Sequence, residues 1–380
     1  MAGKVIIIIL VILLGIILVT PFILSIAGVN ILELGSVGGG PRGEAVLLRS
    51  INGGEEWEDV SISNTERAAF PGQILSLAFY SKNPDVIFLG SKSSGLWKSS
   101  NKGASWNKVS DASGVLDPRA DVYDIGISNS NPDIIYLAVF QKNRGRVLRS
   151  DDNGTSFREV YFVTADRYVV FNLFVDPGSS NHVVIATGQG GLLETRDGGR
   201  TWRVVRWFTE AVERMLVNPS NSREIFAVLA SDNLFKSLDG GANWASLQVR
   251  LRQESQPIIQ GPPPNPFSGF TSRDFIRTLL LDPNGFFTIY AGTTEGLLRS
   301  FDGGFNWERL SVLIPPEALP VTAVAIHPRS PLVIFAGAGV QLHRSEDGGI
   351  NWRVQNLPTS SRIRALSVSP LEPQLMFATF

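Results

Sequence analysis

The chain has 380 residues, a formal net charge of −1 and no cysteine. The balanced charge leaves no basic excess to neutralise phosphates, which excludes nucleic acid as a partner. The missing thiols exclude disulfides, thiolate metal sites, cysteine nucleophiles and a lipoprotein anchor.

In chain order, the first segment stands apart. An apolar run from Val5 continues to Ala27 with little polarity, long enough for a helix to span a bilayer. It is longer than the usual apolar stretch of a cleaved leader, although Ser25-Ile26-Ala27 has the small residues of a cleavage site. Residues 1–27 are therefore expected to be a single transmembrane helix, with secretion after cleavage as the alternative. Lys4 before the run puts the amino terminus in the cytoplasm and the rest outside. The glycine-rich stretch 28–43 is a flexible tether, and 44–380 is the folded domain.

Within that domain an octet, Ser/Thr-x-Asp/Asn-x-Gly-x-x-Trp/Phe, recurs seven times, starting at Ser50, Ser99, Ser150, Thr195, Ser237, Ser300 and Ser345. Its third position is Asn52, Asn101, Asp152, Asp197, Asp239, Asp302 or Asp347. Spacings of 49, 51, 45, 42, 63 and 45 residues match the length of one four-stranded propeller blade. The acidic or amide side chain suits a turn whose N–H groups it accepts, and glycine suits a positive φ. Each octet is thus the hairpin between a third and a fourth strand.

A first strand (Leu75–Phe79 and its six counterparts) and a second, continuously apolar strand (such as Val183–Thr187) complete each unit. The domain opens with third and fourth strands only and closes with first and second strands only. Joining the two half-blades gives an all-β, seven-bladed propeller without free sheet edges.

The seven octets resemble the Asp-box, or BNR, repeat over residues 44–380. Propellers with that repeat include sialidases, xyloglucanase-type glycosidases, sortilin-type receptors and photosystem II assembly-factor-like proteins. The resemblance implies a fold shared by enzymes and binding proteins alike. A sialidase of this class would carry an Arg-Ile-Pro-type motif early in the domain, where this chain reads Pro41-Arg42-Gly43-Glu44. Xyloglucanase-type enzymes pair two such propellers, and one is present here.

No cofactor motif, metal-ligand cluster or catalytic nucleophile stands out in the sequence, and His182, His327 and His343 read as turn or surface residues. What remains is the propeller mouth, on the face where each fourth strand connects to the next first strand. Aligned first strands begin with Leu75, Tyr123, Phe171, Glu213, Arg277, Thr322 and Arg364, followed by Ser76, Asp124, Asn172, Arg214, Thr278, Ala323 and Ala365. Asp124, Glu213, Arg214, Arg277 and Arg364 are the candidate binding residues, with Arg206 and Trp207 from a loop over 204–210. The proline-rich insertion 247–274 is expected at the same rim. The expected role is a membrane-anchored, extracytoplasmic scaffold that binds a protein, with a glycan as the other ligand class. The alternative is a glycoside hydrolase with Asp124 and Glu213 as its carboxylate pair.

Overall fold

The computed structural model describes residues 46–65, 68–231, 233–247, 276–284 and 288–380. The expected membrane span and tether (1–43), and all of the 247–274 insertion beyond Leu247, lie outside these residues. Among the described residues the one helix is the 3₁₀ turn Pro316–Ala318, and no helix is long and apolar enough to cross a membrane.

Seven four-stranded antiparallel sheets form seven blades. Blades 1 to 6 span residues 74–108, 121–162, 170–207, 212–247, 276–309 and 321–356. Blade 7 is composite: Leu47–Ser50 pairs with Met376–Thr379 in the register Leu47↔Thr379 to Ser50↔Met376. The two half-blades of the sequence are therefore neighbours, as expected. The second strands are buried along both faces; every residue of Val183–Thr187, Ile225–Leu229 and Ile334–Ala338 is inaccessible. A near-continuous apolar run is stable there because both of its faces meet a neighbouring blade.

The apolar core is divided into seven clusters, one per seam. Phe226, Val228 and Leu247 of blade 4 meet Ile289, Leu298 and Trp307 of blade 5. The ring closes through Leu47 and Phe377 of blade 7 against Leu89, Trp97 and Trp106 of blade 1.

All seven octets adopt one geometry. The first-position hydroxyl accepts the N–H of the glycine four residues on, at 2.7–2.9 Å, in a buried bond. It also donates to the third-position oxygen at 2.7–2.9 Å. That oxygen accepts the N–H four residues further on, at 2.8–3.1 Å, on the exposed side of the turn. These bonds keep the aspartates ionised. The Ser156 hydroxyl holds Asp152 at about 2, and the Asn243 and Asn351 N–H groups hold Asp239 and Asp347 there as well. The fifth position has φ between 74° and 94° in every copy, as the sequence implies. The fourth position is left-handed too, with φ of 57–76°, and is glycine in five copies. Lys102 and Asn153 adopt that conformation with a side chain.

A second device was not read from the sequence. The residue just before the octet is a cation in six blades: Arg49, Lys98, Arg149, Lys236, Arg299 and Arg344. Five of these reach across the seam to the fourth-position carbonyl of the next octet. Arg49 donates to Lys102 O at 3.0 Å, Arg149 to Gly198 O at 3.3 Å and Lys236 to Gly303 O at 2.9 Å. Arg299 donates to Gly348 O at 2.6 Å and Arg344 to Gly53 O at 3.2 Å. Lys98 instead lies over the Phe88 ring, where burial lowers its pKa. In blade 3 the position is Glu194, turned back on its own blade toward Arg196, Arg203 and His182.

Candidate functional site

The mouth face is built on a repeated irregularity. In blades 1 to 6 the first strand slips register by one residue, between Ile74 and Ser76, Val122 and Asp124, Val170 and Asn172, Val212 and Arg214, Ile276 and Thr278, and Val321 and Ala323. The bulged residues are Leu75, Tyr123, Phe171, Glu213, Arg277 and Thr322, the first column of the sequence alignment. A bulge frees one residue from the ladder and re-aims its side chain, commonly at a barrel rim or beside a site. In blade 7, Arg364 stands just before the strand Ala365–Val368 and donates its N–H to Thr379 O.

This column splits into two arcs. Leu75, Tyr123 and Phe171 are half-buried, and the last two meet edge to face at 5.9 Å. Glu213, Arg277 and Arg364 are exposed.

The second column does a different job. Its side chains in blades 1 to 4 bridge to the next blade's backbone. Ser76 donates to Val122 O at 3.3 Å, and Asn172 Oδ1 accepts Met215 N–H at 3.1 Å. Arg214 donates to Ile276 O at 3.2 Å, and Thr322, from the first column, donates to Ile363 O. Asp124 uses both oxygens: Oδ1 accepts Ile125 N–H at 2.8 Å and Oδ2 accepts Leu173 N–H at 2.9 Å. Burial raises the Asp124 pKa to about 6 despite those two bonds. Counting these bridges with the cations of the octet face, every seam has at least one polar cross-link.

The mouth candidates are therefore of two kinds. Glu213, Arg277 and Arg364 occupy equivalent rim positions, whereas Asp124 and Arg214 link blades. Glu213 approaches Arg214 at 4.0 Å. Arg206 and Trp207 lie elsewhere than expected. The segment read as a loop is the outermost strand of blade 3, Arg203–Trp207, because the β-branched pair Val204-Val205 extends the pairing to Gly191↔Trp207. Both residues thus stand three strands out from the inner strand, with Arg206 over Phe208 at 5.6 Å and Trp207 52% exposed.

Two histidines differ from their surface reading. His343 is fully buried in a third-strand position that is apolar in the other blades (Leu48, Trp97, Leu148, Leu193, Phe235, Leu298), and neither ring nitrogen has a partner. Burial lowers its pKa. His182 is buried between Asp176, at 2.9 Å, and Glu194, at 3.3 Å. Among the described residues no group of His, Cys, Asp or Glu is arranged to hold a metal.

No family model matches the chain. An alignment of 134 positions that covers 30% of this chain is 29% identical to the xyloglucanase Xgh74A of Acetivibrio thermocellus, and the match covers 16% of that enzyme. The GH74 xyloglucanase of Xanthomonas campestris superposes with a TM-score of 0.62 at 16% identity, over 81% of this chain and 51% of that one. A structure of YCF48 bound to D1 peptide superposes with a TM-score of 0.59 at 15% identity, over 80% of this chain and 92% of that one. What these structures share with the chain is the fold. The chain spans about half of the first and nearly all of the second.

Proposed function

We propose that the chain is a non-catalytic binding or assembly scaffold that recognises a protein partner through the propeller mouth, and that its octets are Asp-box repeats. The observation that carries this reading is the state of Asp124. Both of its oxygens are taken by backbone N–H groups, so the carboxylate brackets blades 2 and 3. Glu213, Arg277 and Arg364 remain exposed on the rim, and arginine is over-represented at interface hot spots because it offers several directed donors with a large contact area. The YCF48 structure with its bound peptide supports the reading, as a propeller of this fold whose chain is matched almost end to end.

The proposal includes residues 1–27 as a membrane anchor with the propeller outside the cytoplasm, on the strength of the apolar run and Lys4. The second reading is an extracytoplasmic glycoside hydrolase. The likeness to xyloglucanases supports it, as does the raised pKa of Asp124, which suits a general acid. A pull-down from solubilised membranes separates the two. Arg277→Glu combined with Arg364→Glu should eliminate partner capture while thermal unfolding stays unchanged. Retained capture by that variant, together with glycan hydrolysis that Asp124→Asn abolishes, would favour the hydrolase.

A further inference from the structure

Octets lie against the turns that follow the first strands. Gly240 N–H donates to Arg223 O at 2.8 Å, and Gly348 N–H to Leu332 O at 2.9 Å. Turns and octets therefore share one face, opposite the mouth, and its tips are the second and sixth octet residues. In blades 1 to 3 these are small or polar: Ser100, Ala104, Asp151, Thr155, Arg196 and Arg200. In blades 4 to 7 they include Leu238, Phe301, Phe305, Ile350 and Ile51, each 50–75% exposed. Contacts link this arc across the seams. The Phe305 ring centre lies 5.4 Å from Lys236 Nζ of blade 4, and the Phe301 ring centre 4.4 Å from Arg299 Cζ. Arg299 in turn donates to Gly348 O in blade 6, beside the exposed Leu332. A continuous exposed apolar surface of this kind marks an interaction site.

Two observations say what covers it. Inward of the tips, a cavity of about 250 Å³ opens between the turns of blades 4 and 5, walled by Phe174, Leu216, Leu280, Pro219 and Pro283. Asp282, 8% exposed, lines the same cavity. Its Oδ1 accepts the backbone and amide N–H groups of Asn284 at 2.8 and 3.2 Å, and its Oδ2 has no hydrogen bond among the described residues. The second observation is charge. The cations of the arc are paired: Lys236 with Glu224, Arg299 with Glu308, and Arg344 and Arg353 with Glu55. Asp239, Asp302, Asp347 and Glu56 are acids beyond those pairs, and the three aspartates are held ionised by their own turns. On the adjoining turns, Arg329 is directed to Leu371 O and Arg223 stands at the blade 4 end.

We propose that the octet face of blades 4 to 7 docks a lysine-rich amphipathic segment of a second protein. Its apolar side chains cover the arc, and one of its lysines enters the cavity toward Asp282. A lysine has an apolar stem that matches the cavity wall and an ammonium that matches the carboxylate. Further lysines meet the octet aspartates, whose charge no cation of the arc offsets. A bilayer presents no side chain to fill the cavity, and a second copy would set the same carboxylates against each other. This surface is distinct from the mouth, where Glu213, Arg277 and Arg364 are exposed on the other face of the ring.

The test uses the full chain, which has no cysteine, so Ala242→Cys and Thr155→Cys each place a single fluorophore, on the blade 4 and blade 2 octets. The probe is a synthetic helical peptide of leucine and lysine. It should shift the label at 242 and not the label at 155, and its binding should weaken with added salt. Phe301→Ser with Ile350→Ser should weaken binding about tenfold, and Asp282→Asn by a similar factor. Phe301→Leu with Ile350→Leu should preserve binding, and the serine and leucine variants should melt with the wild type. Arg277→Glu with Arg364→Glu should leave peptide binding intact, so failure at the mouth and failure of this face are separate results. No shift at 242, an equal shift at 155, or equal binding of a leucine–glutamate peptide would each overturn the proposal. So would a shift at 242 caused by phosphatidylglycerol vesicles or by unlabelled chain without peptide, which would assign the arc to a bilayer or to a second copy.

Discussion

The two faces of the ring are built by opposite rules. On the octet face, seven turns share the same hydroxyl, the same acceptor and the same pair of left-handed residues, and five cations make the same reach to the next turn. On the mouth face the bulge repeats but its side chain does not: leucine, tyrosine, phenylalanine, glutamate, arginine and threonine occupy one position in successive blades. Repetition marks the face whose polar groups are satisfied within the ring, in the turn or by the next blade. On the mouth face a fixed backbone geometry presents a different side chain in each of blades 1 to 6.

Four perturbations break or sharpen this contrast. The largest removes a feature both faces depend on. Deleting residues 365–380 takes the two inner strands from blade 7 and exposes Leu47 and Leu48, which are now buried. Cooperative thermal unfolding should be lost, and a truncated chain that still melts in one sharp transition would show that the ring does not need closure.

Next comes the octet itself. Ser300→Ala strands the buried Gly304 N–H and should cost about 1–3 kcal/mol in denaturant unfolding. Asp302→Ala frees the N–H groups of Phe305 and Asn306 and the Asn306 amide, all exposed and able to turn to water, and a Ser300 hydroxyl proton that can rotate, so it should cost about 1 kcal/mol or less. The reverse order would place the stabilising centre of the octet at its acid.

The remaining two concern pH. His343 is held neutral by burial, so its folded pKa lies below the unfolded value near 6.5. The stability it contributes is full above that value and is lost as pH falls below it. His343→Leu should therefore flatten the loss of melting temperature as pH falls below 6.5, and raise stability at neutral pH by about 1 kcal/mol.

The pH effect of Asp124 has the opposite sign. Its folded pKa is raised from 3.8 to about 6, so its contribution is complete below 3.8 and is lost as pH rises through about 6. Asp124→Asn should remove that gradient and also lower melting at neutral pH, because its amide nitrogen cannot accept the second backbone N–H. The octet aspartates do not interfere, because their lowered values confine their effect to pH below about 4. A variant with an unchanged pH profile would mean that the carboxylate is solvated.

Much of the ring was legible in the chain. Octets at a blade-sized period, apolar second strands and half-blades at the two ends pointed to seven blades and to the joining of the two half-blades, because each signal is local and recurs. The column of first-strand residues was legible as well, but not its division of labour. Arg277 and Asp124 look alike in sequence as polar residues at the start of a strand. Only the bulge, which sends one residue to the rim and the next across the seam, separates a rim side chain from a bracket. Similarly, Trp207 was visible as a tryptophan outside the octets, but its place on the outer strand depends on pairing with Gly191. The cation before six of the octets was in plain view, and for five of them it meant nothing until the next blade supplied its carbonyl. Sequence alone determined what repeats along the chain, since turns and strand periods are set by neighbours a few residues away. Tertiary structure decided what meets across a seam, since those partners lie some 50 residues apart and only ring closure brings them within hydrogen-bond distance.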